Sequence, residues 1–121
     1  MLLHAVIDAM LGAAALSDIG QQFPDTDPAN KGRDSAEMLA IAVDNVAEAG
    51  YRVVNFDCIV AAQRPKLAPY QDAIRQRIAE IVRIDPTQVG LKAKTGEWAG
   101  PVGREEVIEA RCVVLLTMDE P

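Results

Sequence analysis

The segment YRVVNFDCIVAA, residues 51–62, constrains the fold more than any other stretch of this chain. It is rich in β-branched and aromatic residues and so reads as a strand. Gly50 precedes it, and the loop QRPKLAP follows, whose two prolines forbid regular pairing. A strand this apolar has to be covered, and helical patterns lie on both sides of it in sequence.

Upstream, Asp34 with Glu37 three residues on resembles a capping box, the run SAEMLAIAVDNVAEA follows, and Gly50 stops it. Downstream, Pro69 suits the first turn of a helix, YQDAIRQRIAEIVRI, with Ile74, Ile78, Ile81 and Val82 on one face and Arg75, Gln76 and Arg83 elsewhere. That helix stops at DPTQVG, after which VGLKAKT and VIEARCVVLLTM read as a short and a long strand separated by the glycine-rich loop GEWAGPVG. The first segment, MLLHAVIDAMLGAAAL, is helical in composition, with Leu3, Val6, Ile7, Met10 and Leu11 making one apolar face. It lacks a start signal and places an ammonium at the positive end of its own dipole, so it reads as beginning in mid-element. The order helix, helix, strand, helix, strand, strand predicts an α+β fold, a small β-sheet with helices packed on one face. No internal repeat, linker or low-complexity tract interrupts it.

At 121 residues, half of them hydrophobic and a quarter charged, the chain is long enough for one domain with a real core. A net charge of -6 weighs against nucleic acid or an anionic membrane as partner, because both require a basic surface. A local group of cations could still hold one small anion. Cys58 and Cys112 lie inside apolar strand-like runs, without metal-ligand spacing, and read as reduced core residues of a cytoplasmic protein. No uninterrupted apolar stretch reaches membrane-spanning length, and no charged region with a cleavage site marks the start.

Polar loops follow three apolar elements, at residues 18–27, 63–66 and 94–104. Loops held on a rigid scaffold are where binding groups gather. The first offers amides and carboxylates to a hydroxylated ligand, the second offers Lys66 to a phosphate, and the third offers Thr95, Glu97 and Arg104. Together they describe a polyol phosphate site with a divalent cation. A plainer reading of each stands beside this: Asx turns at Asp25 and Asp27, a solvated Lys66, and Arg104 paired with Glu105 or Glu106. His4, the single histidine, lies four residues before Asp8, a spacing that suits a metal ligand or a hydrogen-bonded pair. One imidazole cannot hold zinc, which takes three or four protein ligands.

The run LHAVIDAMLGAAALSDIGQQFPDTDP followed by KGRDS, with AQRPKL and KTGE…GR later in the same order, resembles the 2-C-methyl-D-erythritol 2,4-cyclodiphosphate synthase family of non-mevalonate isoprenoid biosynthesis. The resemblance covers essentially the whole chain. It implies a homotrimeric lyase with active sites between neighbouring subunits, converting 4-diphosphocytidyl-2-C-methyl-D-erythritol 2-phosphate to the cyclic diphosphate with release of CMP. It implies zinc and a second divalent cation, magnesium or manganese, on the diphosphate.

By resemblance, His4 matches a zinc-binding histidine. Asp18, Ile19, Gly20, Phe23, Pro24, Asp25, Thr26 and Asp27 match an erythritol-binding loop, with Phe23 shaping its wall. Ala62, Gln63, Pro65, Lys66 and Leu67 match a cytidine-binding loop. Thr95 matches a residue that steadies the transition state, Glu97 a ligand of the second cation, and Arg104 a phosphate contact. The sequence also departs from the family pattern. The family's Asp-x-His pair and its His-Ser-Asp-Gly-Asp loop have no counterpart here, which implies one domain over residues 1–121 without the amino-terminal strands and zinc motif, and weak or absent activity. A non-catalytic trimeric module that binds CDP is the alternative. Lys94 and Gly96 stand where the family usually has threonines, Pro101 replaces a common phenylalanine, and Arg111 stands where an acid is frequent.

Overall fold

The fold is seen in a computed structural model that describes residues 1–24, 26–28 and 33–118. Helix α1 (Leu2–Ala13) has no side-chain cap at its start, as its sequence implies, and is held instead by the face it buries: Val6, Ile7, Met10 and Leu11 are fully enclosed. Asp18 caps a short helix α2 (Ile19–Gln22) by accepting from the Gln21 amide at 3.0 Å. Asp34 caps α3 (Ser35–Glu48) through the Ala36 amide at 2.9 Å, while Glu37 lies 3.9 Å from Arg33. Gly50, at φ +93°, ends α3 in a conformation that side-chain-bearing residues resist.

Strand β1 (Tyr51–Ala61) follows, then a 3-10 turn at Ala68–Tyr70 that leads into α4 (Gln71–Val82). Arg83 closes α4 in the left-handed region and pairs with Asp44 of α3 at 2.7 Å. A capping box formed by Asp85 and Gln88 then turns the chain into β2 (Val89–Lys94). The last elements are a short helix α5 (Gly100–Gly103) and β3 (Glu109–Met118).

The sheet order is β2-β1-β3, with β1 parallel to β2 and antiparallel to β3. The crossover through α4 is what a parallel neighbour requires. Alternation sends Phe56, Cys58 and Val60 of β1 inward, with Val89 and Leu91 beside them, against the buried faces of α1, α3 and α4. The helices pack on this one face, as the element order predicts. The opposite face carries the Asp57–Lys92 ion pair at 3.0 Å and the exposed side chains of Ile59, Val113 and Leu115.

Two contacts refine the edges and the core. Gln71 and Arg75 of α4 donate to the Leu91 and Val89 carbonyls at 2.7 and 2.8 Å, so side chains from a helix cover the outer edge of β2. Cys58 and Cys112 stand directly opposite on β1 and β3 as free thiols, with their sulfurs 3.2 Å apart. Hydrogen bonding to Cys112 draws the Cys58 thiol below its ordinary range against burial and the Asp57 charge, and the same pairing pushes Cys112 far above it.

Candidate functional site

Topology brings two of the three polar loops together. Because β1 and β2 run parallel, both end on the same side of the sheet, and the register continues past their ends: Ala61 faces Lys94, and the Ala62 amide donates to the Lys94 carbonyl at 2.9 Å. The carboxyl ends of parallel strands are where ligands settle in sheets of this kind. Strand β3 begins there as well, since Glu109 faces Ala61, so the segment carrying Arg104 arrives at the same end.

Two cavities open between these loops. One of about 200 Å³ is lined by Ala62, Lys66, Leu67, Ala68 and by Ala93, Lys94 and Thr95. Its larger neighbour, about 660 Å³, is lined by Gln63, Arg64, Pro65, Lys66, Thr95 and Trp98. Lys66 and Thr95 border both, so a cation and a hydroxyl stand at the junction. The peptide bond between Arg64 and Pro65 is cis.

The floor is built from contacts between the loops. Gln63, only 8% exposed, accepts the Trp98 amide on its Oε1 at 3.2 Å. The Thr95 hydroxyl accepts the Glu97 amide at 3.2 Å, and Glu97 and Trp98 both adopt positive φ, 52° and 61°. This turn is possible because Gly96 and Gly103 pass so closely that a Cβ on Gly96 would lie 2.3 Å from the Gly103 nitrogen. Arg104 pairs with Glu106 at 2.8 Å and Arg64 with Glu105 at 3.2 Å. The plainer reading of Arg104 is therefore the one this single chain displays.

The first loop is held elsewhere. The Ile19 amide donates to the Asp8 carboxylate in the middle of α1 at 2.9 Å, and Gln22 accepts from Asn45 near the far end of α3 at 2.9 Å. Ile19 packs against the core, and Gly20 lies within α2, 3.5 Å from the Asp18 carboxylate. Phe23 is buried in the core, with the Arg33 guanidinium 5.7 Å from its ring centroid. Pro24 is half-buried, and Thr26 and Asp27 are exposed. Asp25 lies outside the described residues. The two cavities between the other loops are lined without any of these residues.

His4 bonds through Nε2 to the Ser35 hydroxyl at 3.0 Å, joining the starts of α1 and α3. Asp8, the carboxylate a turn away, is occupied with the Ile19 amide. Among the described residues no group of three or more His, Cys, Asp or Glu converges for a metal. Nor is any described helix long and apolar enough to cross a membrane.

Sequence reasoning passed over Arg64 and Trp98, which line the larger cavity. The available signal was a lone tryptophan in a glycine-rich loop and an arginine beside the proline of QRPKL.

Comparison with known proteins identifies the family to which the chain belongs. The model of the YgbB family matches residues 1–117. The 2-C-methyl-D-erythritol 2,4-cyclodiphosphate synthase of Rhodopirellula baltica is 50% identical over 97% of this chain and 70% of its own length. The synthase of the same name from Thermosynechococcus vestitus is 51% identical over 96% of this chain and 72% of its own. Among solved structures, the bifunctional IspDF of Campylobacter jejuni superposes with a TM-score of 0.92 at 40% identity, over 97% of this chain and 32% of that one. The CDP complex of Plasmodium falciparum IspF gives 0.85 at 31% identity, over 98% and 70%. With identities this high over nearly its full length, the chain belongs to the 2-C-methyl-D-erythritol 2,4-cyclodiphosphate synthase (YgbB) family.

Proposed function

We propose that the chain is the subunit of a homotrimeric cyclodiphosphate synthase acting on 4-diphosphocytidyl-2-C-methyl-D-erythritol 2-phosphate. An oxygen of the 2-phosphate attacks the β-phosphorus, the bond from that phosphorus to the oxygen bridging it to the α-phosphate breaks, and CMP leaves with that oxygen. The observation that carries this reading is the junction of the two cavities, where Lys66 and Thr95 meet between a loop suited to a nucleotide and a loop suited to a phosphate.

In this reading Ala62, Gln63, Pro65 and Leu67 hold the cytidyl group with Lys66 on its phosphate, and Thr95 donates to the oxygens that gain charge. Arg104 turns from Glu106 to the substrate, a change made easy by the exposure of both side chains. The erythritol is held by the first loop of a neighbouring copy, through Asp18, Ile19, Gly20, Pro24, Asp25, Thr26 and Asp27, with Phe23 behind them. The separation of that loop from the two cavities within one chain supports a site shared between copies.

The donor set treats the two cations differently. Magnesium or manganese accepts one or two carboxylates together with substrate phosphates, and Glu97, in the turn beside Thr95, fits that demand. Zinc needs three or four protein ligands, and His4 is a single nitrogen, so the described residues do not by themselves make a zinc site. A divalent cation on the diphosphate supplies charge neutralisation as the phosphoryl group transfers.

The isolation of His4 among the described residues favours a second reading, a trimeric module that binds CDP without turnover. CMP release from the diphosphocytidyl substrate, with magnesium and zinc supplied, separates the two. The synthase releases CMP, and Thr95→Ala slows it about a hundredfold while CDP still raises the melting temperature. Stabilisation by CDP with no CMP release selects the module. No effect of CDP overturns both.

A further inference from the structure

Cys58 and Cys112 have no part in the site assembled above, yet they are the only two cysteines of the chain. Ten facing pairs of residues join β1 to β3, and both cysteines fall in one of them. Their side chains turn to the helix side of the sheet, where Cys58 is fully enclosed and Cys112 is half-buried against the same core. The sulfurs already touch, 3.2 Å apart, across 54 positions of sequence. Packing alone does not ask for sulfur here, since a buried thiol fills space as any small apolar side chain does. Geometry decides what the pair can become. Directly opposed residues of antiparallel strands have Cα atoms about 4.5–5.5 Å apart, inside the span of about 4.4–6.8 Å that a disulfide bridges. Closing a bond between them takes side-chain rotation and little backbone movement.

We propose that Cys58 and Cys112 form an oxidative modification site, at which a hydroperoxide makes a reversible intrachain disulfide that fastens β1 to β3 in their native register. Peroxide oxidises the reachable sulfur, Cys112, to a sulfenic acid, and one water leaves. The Cys58 sulfur then attacks the sulfenic sulfur, the sulfur–oxygen bond breaks, and the hydroxyl departs as a second water with the Cys58 proton. The two sulfurs lose two electrons between them, and one peroxide is reduced to two waters. The hydrogen bond that draws the Cys58 thiol below its ordinary range equips it for the second step, while the same pairing holds Cys112 far above its range and slows the first. The pair therefore rests as thiols and closes under sustained oxidant. The closed bond encloses residues 58–112, a stretch that holds both cavity-lining loops, α4 and β2. Ala62 lies four positions beyond Cys58, so the loop that starts there hangs from a strand tied covalently to its neighbour.

Hydrogen peroxide added to the full chain, followed by intact mass measurement, tests this. The expected product is two hydrogen atoms lighter, runs as a single chain on a non-reducing gel, yields a peptide linked through Cys58 and Cys112 on digestion, and regains its starting mass with dithiothreitol. Its melting temperature should rise by roughly 5–15 °C, as a covalent bond closing a long loop does in a domain of this size. Cys112→Ala should gain nothing under the same treatment. The proposal is overturned if both thiols are still free when glutathione in the same tube is fully oxidised. It is equally overturned if the product carries added oxygen or joins two chains, or if closing the bond lowers the melting temperature. CDP takes no part in these measurements, so the fate of the nucleotide reading is decided separately.

Discussion

Gly96 and Gly103 decide at the residue scale whether the third loop can hold its shape. Each lies where the other's backbone would meet a Cβ, at 2.3 and 3.1 Å for the closest approaches between them, and neither neighbour is a flexible side-chain tip that could swing aside. Gly96→Ala should therefore force the backbone apart at a cost of about 1–3 kcal/mol, the usual range for overpacking. Urea unfolding measures that cost, and loosening the turn that carries Glu97 and Trp98 should weaken CDP binding in the same variant. From the sequence, these glycines marked only a loop. That they meet each other depends on a crossing of backbones that no periodicity encodes. The same limit hid Trp98 and Arg64, since a single aromatic in a turn and an arginine beside a proline are ordinary surface residues until the fold sets them against one cavity. His4 was legible as a polar residue at the start of α1, but its partner Ser35, thirty-one positions on, was not.

At the scale of elements, the helices and strands were largely legible because each buries one face. Ile78 and Val82 of α4 are enclosed where a 3.6-residue period puts them, and Phe56, Cys58 and Val60 alternate inward along β1. Helices α2 and α5 escaped because four residues carry no period. The parallel pairing of β1 with β2 was likewise hidden, since pattern gives the face of a strand and not its neighbour.

Two side chains that no pattern flagged hold the β2 region. Arg75 donates to the Val89 and Pro86 carbonyls at 2.8 and 2.9 Å, so Arg75→Ala should cost about 1–3 kcal/mol in unfolding free energy while leaving CDP affinity intact. Asp85 accepts from the Thr87 amide and hydroxyl, and these bonds hold its carboxyl below the ordinary value of 3.8. A carboxylate with a depressed folded-state pKa contributes stability that is present above its ordinary pKa and lost as pH falls through the folded value. Melting temperatures of Asp85→Ala should therefore fall below those of the original chain at neutral pH, and the two should converge on acidification below about pH 4.

For the whole molecule, the face of the sheet turned away from the helices is the feature that a single copy leaves unexplained. Val113 is 72% exposed and Leu115 57%, adjacent on one face of β3, with Ile59 exposed on the neighbouring strand. An apolar face of this kind costs solubility unless something covers it, and the reading of the site as shared between copies supplies the cover, another copy of the chain. Both observations lead to the same experiment. Val113→Asp places a charge on this face without touching the core, so each copy should keep its fold, with unchanged far-ultraviolet circular dichroism. Light scattering coupled to size exclusion should show the original chain as a three-copy species and the variant as single copies. If the site draws its first loop from a neighbour, the variant should lose CMP release along with assembly, because no copy then presents the loop that starts at Asp18 to the Lys66 and Thr95 of another. A variant that is monomeric and still releases CMP would show that one chain completes its own site, and would remove the shared-site reading while leaving the nucleotide loops in place.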